Sequence, residues 1–290
     1  MKLSRQTARG AVSPSLSSLA VKDDALELNR ASWDSRASVH GQDRLYDAAG
    51  LVAGTVQLDA FESAAFERAV GEVTGLRICH LQCHLGFDSI VLARAGAEVT
   101  GIDFSPVSLA KASDLAGRSG VEITFIECDA CDPPHSQDGK FDVVYATIGV
   151  FAWIADIDAW MAAAARLARP SGHLMVVELH PLVTMFETFD PPVTDFPYNF
   201  DGPHRFDRDG TYVEPGAQLG ATSTVQYAHG LAEVVASAIE AGFDVRYLEE
   251  HTASPRDYFG GLTPEPDGQF RLRLGSEPLP ILYTLIGRRR

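Results

Sequence analysis

Residues 77–105 (RICHLQCHLGFDSIVLARAGAEVTGIDFS) constrain the fold more than any other part of the chain. A short apolar strand over 78–81 runs into a turn that ends at Gly86, and a helical pattern follows the turn. A second strand over 98–102 then brings Asp103 to its carboxyl end. Strand, helix and strand in this order predict a βαβ unit with two parallel strands. Such a unit binds a nucleotide-like ligand beyond the strand ends, where an acidic residue accepts hydrogen bonds from ribose hydroxyls.

The first turn of this unit argues against a dinucleotide. The pattern G-x-G-x-x-G is missing, because Gln82 and His84 stand where two glycines are needed. A pyrophosphate could not approach such a backbone as closely as the dinucleotide fold requires. An NAD(P)-dependent oxidoreductase is therefore an alternative that this turn disfavours.

Composition and charge exclude several partners. The chain has 290 residues, is 46% hydrophobic and carries a formal charge of −15 at pH 7, which disfavours nucleic-acid substrates. No apolar run has the length of a membrane span or of a signal-peptide core, so we expect no membrane partner and a cytoplasmic location. Residues 1–22 lack acidic side chains, and a disordered tail is favoured there over a transit peptide.

The cysteines form two short clusters, CHLQCH at 79–84 and CDAC at 128–131. Their spacing is typical of a zinc module, which is one alternative. We favour packed free thiols, because strand alternation points Cys79 into a packed face and free cysteine is usually buried. Strand two should also separate the two clusters. We therefore predict no metal.

The rest of the chain extends the α/β pattern. Helices are predicted over 24–47, with Trp33, Arg36 and His40 on one face, and over 60–73. Further strands are predicted over 122–126, 141–147, 174–179, 244–249 and 280–286. The last two lack an intervening helix, so the final strand should run antiparallel beside its predecessor. The fold class predicted is α/β, a doubly wound, seven-stranded, mostly parallel sheet with a reversed last strand.

Residues 181–228 interrupt this rhythm with many prolines and aromatic side chains. A segment this long without regular elements is usually functional, so we interpret it as an inserted substrate cap. Residues 211–213 and 222–227 are predicted to pair as a hairpin, which would serve either a homodimer contact or a lid. The predicted organisation is a tail (1–22) and one domain (23–290), made of an N-terminal helical lid (23–75), a cofactor-binding core (76–180), the cap (181–228) and a C-terminal helix with two strands (229–290).

In its order of elements, in HLQCHLG, GIDFS and ECDA, and in its reversed last strand, the chain resembles class I S-adenosylmethionine-dependent methyltransferases over about residues 25–290. Their usual first motif is an acidic residue followed by L-x-C-G-x-G. Here His80 takes the acidic position, Gln82 and His84 replace two glycines, and Cys83 and Gly86 are kept. The HLQCH-x-G form with an upstream W-x-x-R-x-x-x-H resembles a bacterial subgroup of small-molecule methyltransferases.

This resemblance implies S-adenosylmethionine as cofactor. Asp103 would hold the ribose hydroxyls, with Phe104 against the adenine, and Asp129 and the Ala130 amide would bind the adenine edge. Ordinary capping and turn chemistry is the alternative for both aspartates. Arg36 would meet the cofactor carboxylate. The resemblance also implies contacts with the methionyl end of the cofactor from Leu81, Gln82, Cys83 and His84. Gly86 would allow close approach there, and Tyr46 would close over this end. Thr147 and Ile148 would lie under the sulfonium.

Methyl transfer needs an aligned acceptor, exclusion of water and, for some acceptors, a proton acceptor. Glu178 and His180 follow strand five and are the candidate general bases, with a structural role as the alternative for each. The candidate substrate contacts, for which core packing is the alternative, are Trp33, His40, Trp153, Tyr212, Tyr227 and His229.

The sequence thus predicts an enzyme that methylates a small aromatic or heteroaromatic molecule, such as a phenol or an indole, in secondary metabolism. The acceptor atom stays open among O, N and C. A non-catalytic protein that retains an S-adenosylmethionine site is a further alternative.

Overall fold

The structure is a computed structural model that describes residues 18–41, 43, 45–189, 191–198 and 202–290. The α-helices are α1 (Ser18–Val39), α2 (Ala48–Ala53), α3 (Ala60–Ala69), α4 (Phe87–Arg94), α5 (Pro106–Arg118), α6 (Ile157–Leu167) and α7 (Leu231–Glu240). Short 3₁₀ turns cover His135–Gln137, Phe151–Trp153 and Pro181–Met185. The strands are β1 (Arg77–Leu81), β2 (Glu98–Asp103), β3 (Thr124–Glu127), β4 (Phe141–Thr147), β5 (Ala168–Leu179), β6 (Phe186–Phe189), β7 (Pro192–Thr194), β8 (His204–Asp207), β9 (Ser223–Gln226), β10 (Phe243–His251), β11 (Arg273–Leu274), β12 (Glu277–Pro278) and β13 (Leu282–Arg289).

Seven of these strands form the central sheet in the order β10-β13-β5-β4-β1-β2-β3. The pairs from β5 to β3 are parallel, whereas β13 runs antiparallel to both β5 and β10. The last strand is reversed because only Gly- and Pro-rich chain, without a crossover helix, connects it to β10. The predicted fold class is confirmed.

The strand order reverses at β1, which pairs with β2 on one side and with β4 on the other. Connections leave this point toward opposite faces of the sheet, so a crevice opens beyond the carboxyl ends of β1 and β4. Apolar layers cover both faces of the sheet. Helix α6 packs on one face with its fully buried Trp160, and α3 packs on the other face with Phe66. The crevice therefore lies on a rigid base.

The N-terminal helical region differs from the prediction of one helix over 24–47. Helix α1 ends at Val39, and Gly41 follows with φ +114°, a conformation that favours glycine. The Asp43 carboxylate then accepts the N–H groups of Gly41, Leu45 and Tyr46, which forms a turn before α2. Residues 18–22, assigned from sequence to a disordered tail, belong to α1, and residues 1–17 lie outside the described part of the chain.

The cap also differs in detail. Strand β9 pairs with β8 rather than with residues 211–213, so the predicted hairpin has the right second strand and the wrong first one. The 211–213 segment forms a turn instead, in which the Thr211 hydroxyl accepts the N–H groups of Val213 and Glu214. This turn directs Tyr212 toward the N-terminal region, where its hydroxyl contacts that of Tyr46 (2.7 Å).

Candidate active site

A cavity of about 680 Å³ lies beyond the carboxyl ends of β1, β2 and β4. Twelve of the predicted site residues line it: Trp33, Tyr46, Gln82, Cys83, His84, Asp103, Phe104, Thr147, Ile148, Trp153, Tyr212 and Tyr227. Aromatic side chains from the cap and from the segment after β10 complete its wall, among them Phe186, Phe189, Tyr258 and Phe259. The topology thus joins the first turn of the βαβ unit and the cap in one enclosure.

The first turn keeps a glycine-like backbone although two glycines are replaced. Gln82 has φ +56° and His84 has φ +48°, both in the left-handed region. Hydrogen bonds hold the Gln82 side chain, which donates to the Val150 carbonyl (3.1 Å) and accepts from the Trp160 indole (2.9 Å). These bonds offset the steric cost of the backbone conformation.

The His84 ring is likewise held between two partners. Its Nδ1 lies 3.0 Å from the Ser108 hydroxyl, and its Nε2 lies 3.0 Å from Nδ1 of His40. Burial holds the pKa of His84 well below its usual range, so the ring is neutral near pH 7. Side-chain hydrogen bonds therefore stabilise a left-handed turn that glycine residues would adopt without them.

Asp103 connects the two halves of the βαβ unit. Its carboxylate accepts the N–H of His84 (2.9 Å) and the N–H of Ser105 (2.9 Å). Burial raises its pKa to about 6, although these backbone donors favour the charged form. Asp103 thus reaches the cavity as a fixed carboxylate that still has lone pairs for further donors.

A group of rings, which we call the aromatic lid, covers this end of the cavity. It consists of Trp33, His40, Tyr46, His84 and Tyr212. His40 stacks on Tyr46 (ring centroids 5.4 Å apart), while Trp33 and Tyr212 make edge contacts with His84 and His40. His40 does not line the cavity itself; it lies behind His84, and burial lowers its pKa to about 4.

Arg36 lies beside the aromatic lid without lining the cavity. Its guanidinium carbon is 5.7 Å from the ring centroid of Trp33 and 5.8 Å from that of Trp153. The side chain is buried, and its Nε has no hydrogen-bond partner among the described residues. Burial lowers its pKa from the ordinary arginine range. A buried guanidinium with an unsatisfied donor favours an anionic ligand nearby.

The structure does not bring the two candidate bases to the cavity. The buried Glu178 carboxylate accepts four backbone N–H groups, from Gly149 (2.5 Å), Val150 (2.7 Å), Phe151 (3.1 Å) and its neighbour Leu179 (2.5 Å). It therefore fixes the loop after β4, which is the structural alternative. Its lone pairs already bind protein donors, so it is not placed to accept a substrate proton.

His180 is also structural in position. Its Nδ1 accepts the N–H of Leu182 (3.1 Å) and caps the following 3₁₀ turn, while its Nε2 lies 2.6 Å from Glu250. The ring is buried between these partners and does not line the cavity. Both ring nitrogens are thus engaged by protein groups outside the cavity wall.

Five further predicted residues lie outside the cavity wall: Leu81, Gly86, Asp129, Ala130 and His229. The Asp129 carboxylate accepts the N–H of Cys131 (2.9 Å), the turn chemistry named above as its alternative. His229 binds the Ile154 carbonyl (2.7 Å) and Glu233 (3.2 Å), so it links the start of α7 to the segment after β4. Gly86 serves packing, because a Cβ there would lie 3.1 Å from that of Ala112.

Sequence reasoning missed an acidic group in the cavity wall, made of Asp59, Glu62 and Asp88. Asp59 and Glu62 form a capping box at the start of α3, and the Thr147 hydroxyl donates to Glu62 (2.5 Å). The D-x-x-E pattern at 59–62 signals such a helix start, but only the tertiary fold places it at the carboxyl end of β4. His80, Arg256 and Tyr258 line the cavity beside these acids.

The four cysteines are free. As predicted, β2 separates β1, which carries Cys79, from β3, which precedes the second cluster, and Cys128 and Cys131 pack against the same large core layer as the buried Cys79. Burial raises the pKa of the Cys79 thiol, which makes it unreactive. Among the described residues, no group of three or more His, Cys, Asp or Glu side chains is arranged to hold a metal ion. Within the same part of the chain, every helix is too short or too polar to cross a bilayer.

Comparisons with known proteins agree with this geometry. Residues 78–172 match the family described as "Methyltransferase domain". The chain is 29% identical over 158 residues to a ubiquinone biosynthesis O-methyltransferase of Azorhizobium caulinodans (53% of this chain, 60% of the relative). It is 41% identical over 86 residues to a demethylmenaquinone methyltransferase of Thermus thermophilus (30% of this chain, 38% of the relative). The chain thus spans less than two thirds of either relative.

Solved structures show the same fold. An S-adenosylmethionine-dependent methyltransferase from Mesorhizobium loti superposes with a TM-score of 0.56 at 22% identity, covering 79% of this chain and 98% of the other. A protein described as a putative methyltransferase of the same kind from Listeria monocytogenes gives 0.54 at 16% identity, covering 80% and 99%. Residues 78–172 thus match the methyltransferase family in sequence, and the chain shares the fold of these solved structures.

Proposed function

We propose that this chain transfers a methyl group from S-adenosylmethionine to a small aromatic or heteroaromatic acceptor, as a member of the subgroup with the HLQCH-x-G turn. The observation that carries the proposal is the single cavity that joins the first turn and Asp103 to the aromatic wall of the cap. The first turn and Asp103 lie within residues 78–172, which match the methyltransferase domain. Most residues of the aromatic wall lie outside this range. Such a division suits a shared cofactor and a chain-specific acceptor.

The residues at the first end fit the proposed cofactor. When bound, S-adenosylmethionine supplies an electrophilic methyl group on a positively charged sulfur. Asp103 is placed to accept from the ribose hydroxyls, and Phe104 offers a ring beside it. Arg36 has a buried, unsatisfied Nε that a carboxylate would satisfy. The neutral His84 adds no positive charge against a sulfonium. Asp129 and Ala130 remain proposed adenine contacts that require the ligand to extend toward β3.

The residues at the second end fit a flat acceptor. Phe186, Phe189 and Phe259 line this end, and aromatic rings prefer stacked or edge contacts with another ring. Trp153 and Tyr227 close the wall toward the domain and would exclude water. The names of several relatives specify O-methylation, which favours a ring hydroxyl as the acceptor, and a role in secondary metabolism is part of the proposal.

Calorimetry with S-adenosylhomocysteine tests the cofactor site. The wild-type chain should bind it, and Asp103→Asn should weaken binding by about 1–3 kcal/mol, roughly 5- to 150-fold, because a charge-assisted acceptor is lost. The affinity of the wild type should also fall as the pH drops below about 6, since the raised pKa means that Asp103 is then protonated. Asp103→Asn should remove that pH dependence.

Absence of binding by the folded wild type would refute the proposal, and unchanged affinity in Asp103→Asn would refute the ribose role. A methyl-transfer assay over phenols and indoles then separates an enzyme from a non-catalytic binding protein. Turnover of at least one aromatic acceptor supports the enzyme, whereas cofactor binding without any turnover favours the binding protein.

A further inference from the structure

One member of the acidic group in the cavity wall, Asp88, is hydrogen-bonded among the described residues only by its own backbone N–H, and it interacts with Arg256. Asp59 accepts from the Phe61 N–H (2.9 Å) and the Tyr258 hydroxyl (3.1 Å), so both of its oxygens are engaged. Both oxygens of Glu62 accept as well, from the Asp59 N–H (2.8 Å) and the Thr147 hydroxyl (2.5 Å). The half-buried Asp88 carboxylate has no side-chain hydrogen-bond or ion-pair partner among the described residues, although it lines the cavity.

His80 supplies a second, independent observation. The ring is only 2% exposed and lines the same cavity. Its Nδ1 lies 2.8 Å from the Ser89 hydroxyl, whereas its Nε2 has no hydrogen-bond partner in the described part of the chain. Burial lowers the pKa of His80 to about 3, so the ring is neutral. With Nδ1–H donating to Ser89, Nε2 presents a lone pair that lacks a donor.

Carboxyl groups outnumber cationic groups at this end of the cavity. Three carboxyl groups face one guanidinium, that of Arg256, which is close enough to lower the pKa of Asp88. Burial and the neighbouring Glu62 act more strongly and raise the Asp88 pKa well above its usual range. A ligand with several N–H donors and a positive charge would satisfy both Asp88 and His80 Nε2 and would restore the ionised carboxylate.

We propose that Asp88, Glu62 and His80 form a subsite for a protonated primary amine, carried by the aromatic methyl acceptor. The acceptor class is then an arylalkylamine, with its ring against the aromatic wall and its ammonium at the acidic group. This inference rests on the proposed function. The surroundings of the subsite favour the acceptor over the cofactor as the source of the ammonium. Although Asp88 and His80 lie within residues 78–172, Glu62 and its neighbours Asp59 and Arg256 lie outside this range, and Tyr258, bonded to Asp59, adjoins Phe259 of the aromatic wall.

The first arm of the test compares tyramine with 4-propylphenol, which has the same ring and chain length but no charge. Calorimetry on the complex with S-adenosylhomocysteine should show at least 10-fold tighter binding of tyramine to the wild type. Asp88→Asn should abolish that preference by weakening tyramine alone. Glu240→Gln removes an exposed acid at the end of α7, away from the cavity wall, and should leave both affinities unchanged. Other arylalkylamines, each paired with its neutral isostere, extend this arm.

The second arm compares S-adenosylhomocysteine with an analogue that lacks only the amino group. If Asp88→Asn weakens the amine form alone, and tyramine shows no advantage, the subsite holds the cofactor's ammonium and the assignment to the acceptor is overturned. If Asp88→Asn changes amine and neutral ligands equally, or changes neither in both arms, the subsite itself is overturned.

Circular dichroism checks that the Asp88→Asn variant is folded. If it is not, Asp88→Ser replaces it in the same measurements. The failure of this inference is distinguishable from that of the proposed function. A wild type that does not bind S-adenosylhomocysteine refutes the proposed function, whereas a wild type that binds it without any selective effect of Asp88→Asn refutes only the amine subsite.

Discussion

A left-handed backbone costs a residue other than glycine about 1–2 kcal/mol, because its Cβ crowds the following carbonyl. Gln82 and His84 both adopt this conformation in the first turn, and both are anchored by side-chain hydrogen bonds. A turn built in this way is rigid, since any change of backbone conformation breaks buried bonds. The replacement of glycine here is therefore compatible with the shape that the cavity needs.

Two substitutions at Gln82 separate these opposing effects. Gln82→Ala should destabilise the protein by about 2–3 kcal/mol, because it keeps the strain and leaves the Trp160 indole N–H and the Val150 carbonyl without their partner. Gln82→Gly loses the same bonds but removes the strain, so it should be about 1 kcal/mol more stable than Gln82→Ala. Urea unfolding measures both. A glycine variant less stable than the alanine variant would contradict the strain argument.

At the scale of elements, the loop after β4 shows that a place at the end of a strand does not by itself make a residue catalytic. Glu178 lies near the carboxyl end of β5, which makes it one of two candidate bases from sequence, with a structural role as the alternative. The side chain instead turns toward the neighbouring β4 end and binds the N–H groups of Gly149, Val150 and Phe151. Gly149 and Val150 line the cavity, so Glu178 shapes the wall from behind.

Glu178→Gln should lower the free energy of unfolding by about 2 kcal/mol or more, because an amide NH₂ would face buried N–H donors and leave one unsatisfied. Affinity for S-adenosylhomocysteine should fall with it as the wall loses its order. Glu240→Gln, at the exposed end of α7, is the control and should change stability by less than about 0.5 kcal/mol. A variant that lost turnover but kept stability and cofactor affinity would restore the catalytic role.

Elements were predicted well where their signal is local. The alternation in the βαβ unit and the missing crossover helix before the last strand were sufficient for the sheet and its reversed strand. The predicted helix over 24–47 was too long, because the turn made by Asp43 depends on side-chain bonds that periodicity does not reveal. The strand partner of β9 was missed because the choice between two short segments of the cap depends on distant contacts.

At the scale of the whole molecule, two distant segments close the cavity together. Asn29 of α1 donates to the Val225 carbonyl (2.8 Å) and accepts the Val225 N–H (2.8 Å), so its amide extends the edge of β9 as a strand would. The hydroxyls of Tyr46 and Tyr212 and the bond from the Gly220 N–H to Ser35 reinforce this union. These hydrogen bonds therefore hold the N-terminal region and the segment around β9 together.

Asn29→Ala should loosen this connection, because it leaves a buried N–H and carbonyl of Val225 unpaired at a cost of about 1–3 kcal/mol each. Hydrogen exchange of the β8 and β9 amides should become at least about 10-fold faster, the equivalent of 1.4 kcal/mol, while the central sheet stays protected. Ser35→Ala removes a more exposed bond and should have a smaller effect. Unchanged exchange in β8 and β9 would show that the two segments are held independently.

The sequence alone determined the sheet, its reversed last strand and the residues that follow β1, β2 and β4, because periodicity, turn residues and connection lengths are local properties of the chain. The tertiary structure decided which of the predicted polar side chains reach the cavity. Asp103 reaches it, whereas Glu178 and His180 are engaged by backbone and neighbouring groups. It also brought Asp59, Glu62 and Asp88 together from α3 and α4. Burial and hydrogen-bond partners depend on contacts between segments far apart in sequence, so no local pattern could have revealed them.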